Sequence, residues 1–186
     1  MKSLLKLGIL AAALTVALAA KAEPTLPTDA EVQAHLAALE GVFEGAENVT
    51  PFGPLSIAFS FVREENGDVH AHSAQDASTW IDLRFTREGD TWRFAEGASM
   101  PGLGVQEYTM DLVGHGESGF VWEVVGRPGF LQAVTYADAE GIRLTVSLRG
   151  KPHVDFKLPR VVGPRAEQIA AELARRAAGD FSRASR

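Results

Sequence analysis

From Val42 to Leu158, short segments of alternating apolar and polar residues follow one another along the chain. This alternation is typical of β-strands with one buried face, and turn-forming stretches such as Asn66-Gly67 separate the segments. No helical pattern interrupts the series, and the connections are short. We therefore predict an all-β fold, an antiparallel up-and-down β-barrel of about ten strands; a β-sandwich is the alternative. The predicted strands lie near residues 42–49, 55–63, 69–76, 79–86, 91–98, 105–113, 120–126, 130–137, 142–149 and 153–158.

A short N-terminal helix is predicted before the first strand. Thr28 and Glu31 have the spacing of a capping box, and Val32 and Leu36 share one apolar face that follows it. His35 lies beside this apolar stripe, so we expect it at the surface or at the boundary of the core.

A C-terminal helix is predicted after the last strand, beginning near Pro164 and ending near Gly179. Ile169 and Leu173 form a narrow apolar stripe among alanines, which favours docking on the exterior or an end of the barrel. The polar face carries charges of both signs, so membrane binding is not expected.

The assumed turns predict which residues face the barrel interior. A two-residue turn at Asn66-Gly67 places His72 opposite Phe61, and a turn at Ala77-Ser78 places His72 opposite Leu83. His72 would then be the polar group in an apolar lumen, although a one-residue bulge would invert the faces downstream. The predicted ligand-binding residues are His72, Phe59, Phe61, Leu83, Phe85, Trp92, Phe94, Tyr108 and Trp122.

The first 22 residues have the composition of a secretory signal. Lys2 and Lys6 precede an apolar run from Leu7 to Ala20, and Ala20-Lys21-Ala22 provides small residues for a cleavage site. A retained membrane anchor is the alternative. We predict a signal peptide over 1–22 and a periplasmic or secreted protein.

The rest of the chain divides into a domain over 23–163, which holds the short helix and the barrel, and a C-terminal helix and tail over 164–186.

Composition narrows the class of protein further. The chain has no cysteine, which excludes a lipid-anchored lipoprotein and disulfides. Its net charge is −6, and the basic leader makes the remainder more acidic still, so nucleic acid is not an expected partner. The composition does not predict an oligomeric state.

Two histidines, His70 and His72, project from the same side of one predicted strand. A metal ion could bridge them, but zinc requires a third protein ligand, and Glu96 or Asp76 would reach them only with further assumptions about register. No metal site is therefore predicted. No pair of residues compels a catalytic function either, so no catalytic residue is predicted.

Two segments carry a family resemblance. LEGVFEG, residues 39–45, resembles the L-x-G-x-W/F-x-G start of calycin-type barrels, the lipocalin and fatty-acid-binding superfamily. HVDFKLPR, residues 153–160, is similar to the closing strand of the nitrobindin-like haem barrels, with Arg160 at its end. The resemblance implies a ten-stranded barrel, and in the haem-binding branch it assigns the iron ligand to His153. On geometry alone, His72 would be an alternative iron ligand.

Together these patterns predict a secreted or periplasmic protein that binds a small apolar molecule in its lumen, without insertion into a membrane. A haem-binding barrel and a structural or envelope-interaction protein without a ligand are the alternatives. A barrel of this kind could also host an isomerase or cyclase.

Overall fold

The computed structural model describes residues 25–50, 53–100 and 104–179. The predicted signal peptide lies outside the described residues, as does the tail after residue 179. The described residues form ten strands and two helices. The strands are β1 (Gly41–Thr50), β2 (Gly53–Arg63), β3 (Val69–Asp76), β4 (Thr79–Glu88), β5 (Thr91–Met100), β6 (Gly104–Gly116), β7 (Gly119–Val124), β8 (Leu131–Ala137), β9 (Gly141–Leu148) and β10 (Lys151–Val161).

The ten strands form a closed antiparallel barrel, which confirms the predicted fold class. Each strand pairs with its neighbour in sequence, and β1 pairs with β10 to close the sheet. Closure leaves no unpaired strand edge, because every backbone edge has a partner strand. The alternative of a β-sandwich is thereby excluded.

Helix α1 (Asp29–Leu39) closes one end of the barrel. Its predicted capping box is present: the Glu31 amide donates to Thr28 Oγ1 at 3.3 Å, and the Thr28 amide donates to Glu31 Oε2 at 2.7 Å. Val32 and Leu36 are buried in the same core cluster as the inward-facing residues of the strands. At the rim of the barrel, Trp92 donates a hydrogen bond from its indole nitrogen to Asp29 of the helix.

Aromatic side chains fill the half of the lumen next to α1. Phe85 and Phe94 stack with ring centroids 4.6 Å apart, and Trp122 meets Phe85 edge-on at 5.4 Å. The space left between Phe59, Phe61 and their neighbours is about 10 Å³. That volume is at the lower limit for one water molecule. This half of the barrel is therefore a packed core.

Helix α2 (Pro164–Ala177) packs on the barrel exterior, as predicted. Ile169 and Leu173 form a small apolar cluster with Val42, Ala58 and Val161 on the outer face of β1, β2 and β10. Within the described residues, no helix has both the length and the apolar character needed to cross a bilayer.

The hairpin between β2 and β3 departs from the predicted register. Glu64 and Asp68 are joined by three residues instead of two: the Glu64 amide donates to the Asp68 carbonyl, and Gly67 adopts φ 90°. A left-handed residue closing a three-residue loop is a common hairpin connection. As a result Ser60, not Phe61, pairs with His72. The prediction that His72 faces the lumen is wrong.

Candidate functional site

The end of the barrel opposite α1, which we call the mouth, contains a cavity of about 300 Å³. It lies between the end of β1, the starts of β2 and β4, and the ends of β3 and β5. Most of its surface is apolar, and short polar side chains surround the entrance. The lining residues are Thr50, Gly53, Pro54, Leu55, Ile57, Ser73, Gln75, Thr79, Trp80, Ile81 and Ser99.

Glu96 is an inward-facing carboxyl group below this cavity. It pairs with Leu83 on β4 and with Tyr108 on β6. Ile81, which lines the cavity, lies two residue pairs nearer to the mouth, at the next inward-facing position of β4. Glu96 makes no hydrogen bond or ion pair with any described residue. Some of its surface remains accessible to solvent. Burial nevertheless raises the pKa of Glu96 to about 7, since apolar surroundings disfavour the charged carboxylate.

Tyr108 continues the polar side of the lumen from Glu96 toward the mouth. It is partly buried against the core, and its hydroxyl donates to Gln106 Oε1 at 3.5 Å. Tyr108, one of the predicted ligand-binding residues, does not line the mouth cavity. An acid, a phenol and an amide therefore follow one another along β5 and β6.

The other predicted aromatic and leucine residues face inward, as expected, but they form the packed core. Their role as a ligand-binding wall stays a prediction, and the structure leaves little space beside them. Trp92 lies at the α1 rim, where its Nε1 donates to Asp29 Oδ1 at 3.2 Å. The residues of this group are Phe59, Phe61, Leu83, Phe85, Trp92, Phe94 and Trp122.

His72 lies on the outer face of β3, opposite Ser60 and Asp82. Its Nδ1 is hydrogen-bonded to the Asp82 carboxylate, and its Nε2 is buried without a partner. His70 Nε2 is 4.0 Å from the same Asp82 oxygen. In the part of the chain that the structure describes, no group of three histidine or acidic side chains is placed to hold a metal ion.

His153 is an exposed residue at a bulge near the start of β10. The next residue, Val154, packs against the core, in agreement with its predicted inward position. Neither His153 nor His72 lines the mouth cavity. The described residues therefore do not provide an axial histidine for a haem bound there.

A buried polar cluster connects α1 to the barrel. Thr135 Oγ1 lies 2.9 Å from His35 Nε2 and accepts a hydrogen bond of 2.9 Å from Trp122 Nε1. The His35 ring stacks on Phe120 with centroids 4.2 Å apart. Burial lowers the pKa of His35 to about 4, so the imidazole is neutral at pH 7. The expected surface or boundary position of His35 is wrong, because the ring is buried.

A second cavity of about 250 Å³ lies between α2 and the barrel exterior. Its charged side chains already have partners: Arg165 bonds Glu44 at 2.7 Å, and Arg176 bonds Glu172 at 2.7 Å. We therefore take the mouth cavity, with the unpartnered carboxyl group below it, as the candidate site.

Comparison of this chain with known protein families, with curated proteins and with solved structures found no match.

Glu96 was considered above only as a third metal ligand for His70 and His72, and its inward position was not predicted. The signal was present in the alternation of β5, where Trp92, Phe94 and Glu96 occupy the same phase. An acidic residue on an apolar face is the informative exception in such a strand.

Proposed function

We propose that this protein binds a small, mainly apolar molecule in the mouth cavity. The observation that carries the proposal is a cavity of about 300 Å³ with a mostly apolar lining, at the barrel end that α1 does not cover. Small-molecule sites commonly combine an apolar wall with a few polar groups. The packed aromatic half forms the floor, and the ligand occupies the mouth instead of the whole lumen.

We further propose that the barrel is calycin-like. The two segments that carry the resemblance meet in space: the Arg160 guanidinium lies 4.6 Å from the centroid of the Phe43 ring. Arg160 also donates to the carbonyls of Glu40 at 2.6 Å and Ala38 at 2.7 Å, which ties α1 to the closing strand. The proposed periplasmic or secreted location rests on the composition of residues 1–22.

Filling the cavity tests the proposed site. Ser73 is inward-facing, opposite Ile81, and both line the cavity. We expect wild-type protein to bind 1-octanol saturably in isothermal titration calorimetry. Ser73→Phe places a phenyl ring in the cavity and should weaken binding about tenfold or more, the equivalent of about 1.4 kcal/mol.

Ser118→Phe is the matched control, because Ser118 is exposed in the turn between β6 and β7, at the α1 end. It should bind octanol like the wild type. Circular dichroism would confirm that both variants are folded. Absence of saturable binding to wild-type protein, or equal binding by Ser73→Phe, would exclude the mouth as the site.

A further inference from the structure

We infer that Glu96 binds the cationic head group of the ligand, so that the natural ligand is an amine with an apolar body. This inference rests on the proposed function and specifies its ligand class. The geometry points to it because Glu96 lies two residue pairs deeper than the cavity wall at Ile81, at the next inward-facing position below the cavity. A ligand entering the mouth with its polar end first would meet this carboxyl group.

Among the residues that the structure describes, the carboxyl group has no counter-ion. Its cross-strand neighbours are Leu83, which is apolar, and Tyr108, whose hydroxyl bonds Gln106. A carboxylate in such surroundings is costly unless a cation or hydrogen-bond donors accompany it. A bound ammonium group supplies both.

Arg87 of β4 is bonded to Asp29 at 2.7 Å at the α1 end, and the other arginines of β4 and β5 are engaged outside the lumen. Arg84 on β4 faces Glu64 at 3.7 Å, and Arg93 on β5 is bonded to Asp111 at 3.0 Å and to Glu88. Neither is available to neutralise Glu96. The net charge of −6 also favours the approach of a cation over that of an anion.

The same contacts predict how the affinity for an amine depends on pH. Tyr108 is the titratable residue that pairs with Glu96 from β6, and Leu83, its partner on β4, carries no charge. Because the pKa of free Glu96 is raised to about 7, an ammonium ligand must displace a proton at lower pH. Affinity for an amine should therefore fall about tenfold per pH unit below pH 6, while affinity for an alcohol stays constant.

Three probes with the same eight-carbon chain test the inference by calorimetry at pH 8: octylamine, 1-octanol and octanoate. Wild-type protein should bind octylamine at least about tenfold more tightly than octanol, and octanoate most weakly. Glu96→Gln should abolish the preference for octylamine and retain octanol binding. Glu107→Gln is the matched control, because Glu107 is exposed on neighbouring β6 and should keep the wild-type preference.

Persistence of the amine preference in Glu96→Gln, or octanoate binding as tight as octylamine binding, would overturn the inference. Octanol binding without any amine preference in the wild type would also overturn it and leave the proposed function intact. If none of the three probes binds, the proposed function itself fails. The wild-type pH profile gives a second readout that needs no variant.

Discussion

At the scale of single residues, two buried groups titrate in opposite directions. The pKa of Glu96 is raised from 4.5 to about 7 by burial, so between these pH values the native state holds a proton that the unfolded state releases. The pKa of His35 is lowered from 6.5 to about 4 by burial, so between pH 4 and 6.5 the unfolded state holds the extra proton. Rising pH thus weakens the fold through Glu96 and strengthens it through His35. The two effects oppose each other between pH 4.5 and 6.5.

Replacing the Glu96 carboxyl group should remove its contribution to the pH dependence of stability and leave that of His35. We expect the free energy of unfolding of Glu96→Gln, relative to wild type, to rise by up to about 3 kcal/mol between pH 4.5 and pH 8. Urea titrations at both pH values measure the difference, and Glu107→Gln serves as the exposed control. A constant difference between Glu96→Gln and wild type across this range would contradict the burial of an uncompensated carboxylate.

The sequence predicts the position of Glu96 better than it predicts the burial of His35. The phase of Glu96 within β5 is visible in the alternation, so its inward position could have been predicted. The burial of His35 could not, because it depends on Thr135, which lies 100 residues away in sequence. A hydrogen bond that links α1 to β8 leaves no local pattern at either end.

At the scale of elements, alternation predicted the number of strands and their approximate limits, because it is a local property of each strand. The lengths of the loops are harder to predict from the sequence than the number of strands. The three-residue connection after Glu64 shifted the pairing of β3, and a bulge between Ala74 and Asp76 shifted the next pairing again. The two shifts compensate, so Leu83 and Phe85 face inward as predicted, whereas the histidines of β3 do not.

In the second half of the chain, the register of β8 and β9 follows directly from the turn between them. A two-residue turn at Ala139-Glu140 joins β8 to β9, and counting back from it gives the observed pairing of Ala137 with Ile142 and of Thr135 with Leu144. Register was therefore predictable where the turn had two residues and the strands no bulge. Identification of the mouth cavity was beyond the sequence, because it requires knowing which half of the lumen the aromatic residues fill.

Helix α1 should contribute strongly to stability through its buried face. Leu36 is fully buried beneath the barrel rim, so Leu36→Ala leaves a cavity and should cost between about 2 and 5 kcal/mol of unfolding free energy. Leu26→Ala makes the same chemical change at a side chain that is 75% exposed and should cost less than about 0.5 kcal/mol. Denaturant titration of both variants checks the difference. Equal losses would show that α1 does not seal the barrel.

At the scale of the whole molecule, the barrel is divided into a closed half and an open half. Helix α1 and the aromatic core occupy one end, and the mouth cavity occupies the other. The packed core and the proposed binding site are therefore separated along the barrel axis. Substitutions that enlarge or fill the mouth cavity are expected to disturb the fold less than substitutions beside Phe85 or Trp122.

Closure of the sheet makes the last strand essential. Val42 of β1 pairs with Val161 of β10, so removal of β10 would leave β1 and β9 as unpaired edges. A chain ending at Arg149 is expected to aggregate, whereas a chain ending at Gly179 is expected to remain monodisperse in size-exclusion chromatography. A monodisperse, β-rich product from the shorter chain would contradict this expectation.

The pairing of Val42 with Val161 also has a kinetic consequence. The contacts between β1 and β10, which we call the seam, join residues far apart in sequence and so have a high contact order. Such contacts form late because a long loop must first be closed. During synthesis from the N-terminus, the growing polypeptide stays an incomplete sheet until β10 has emerged. Its vulnerability to misassembly is therefore concentrated in that interval and ends when the seam closes.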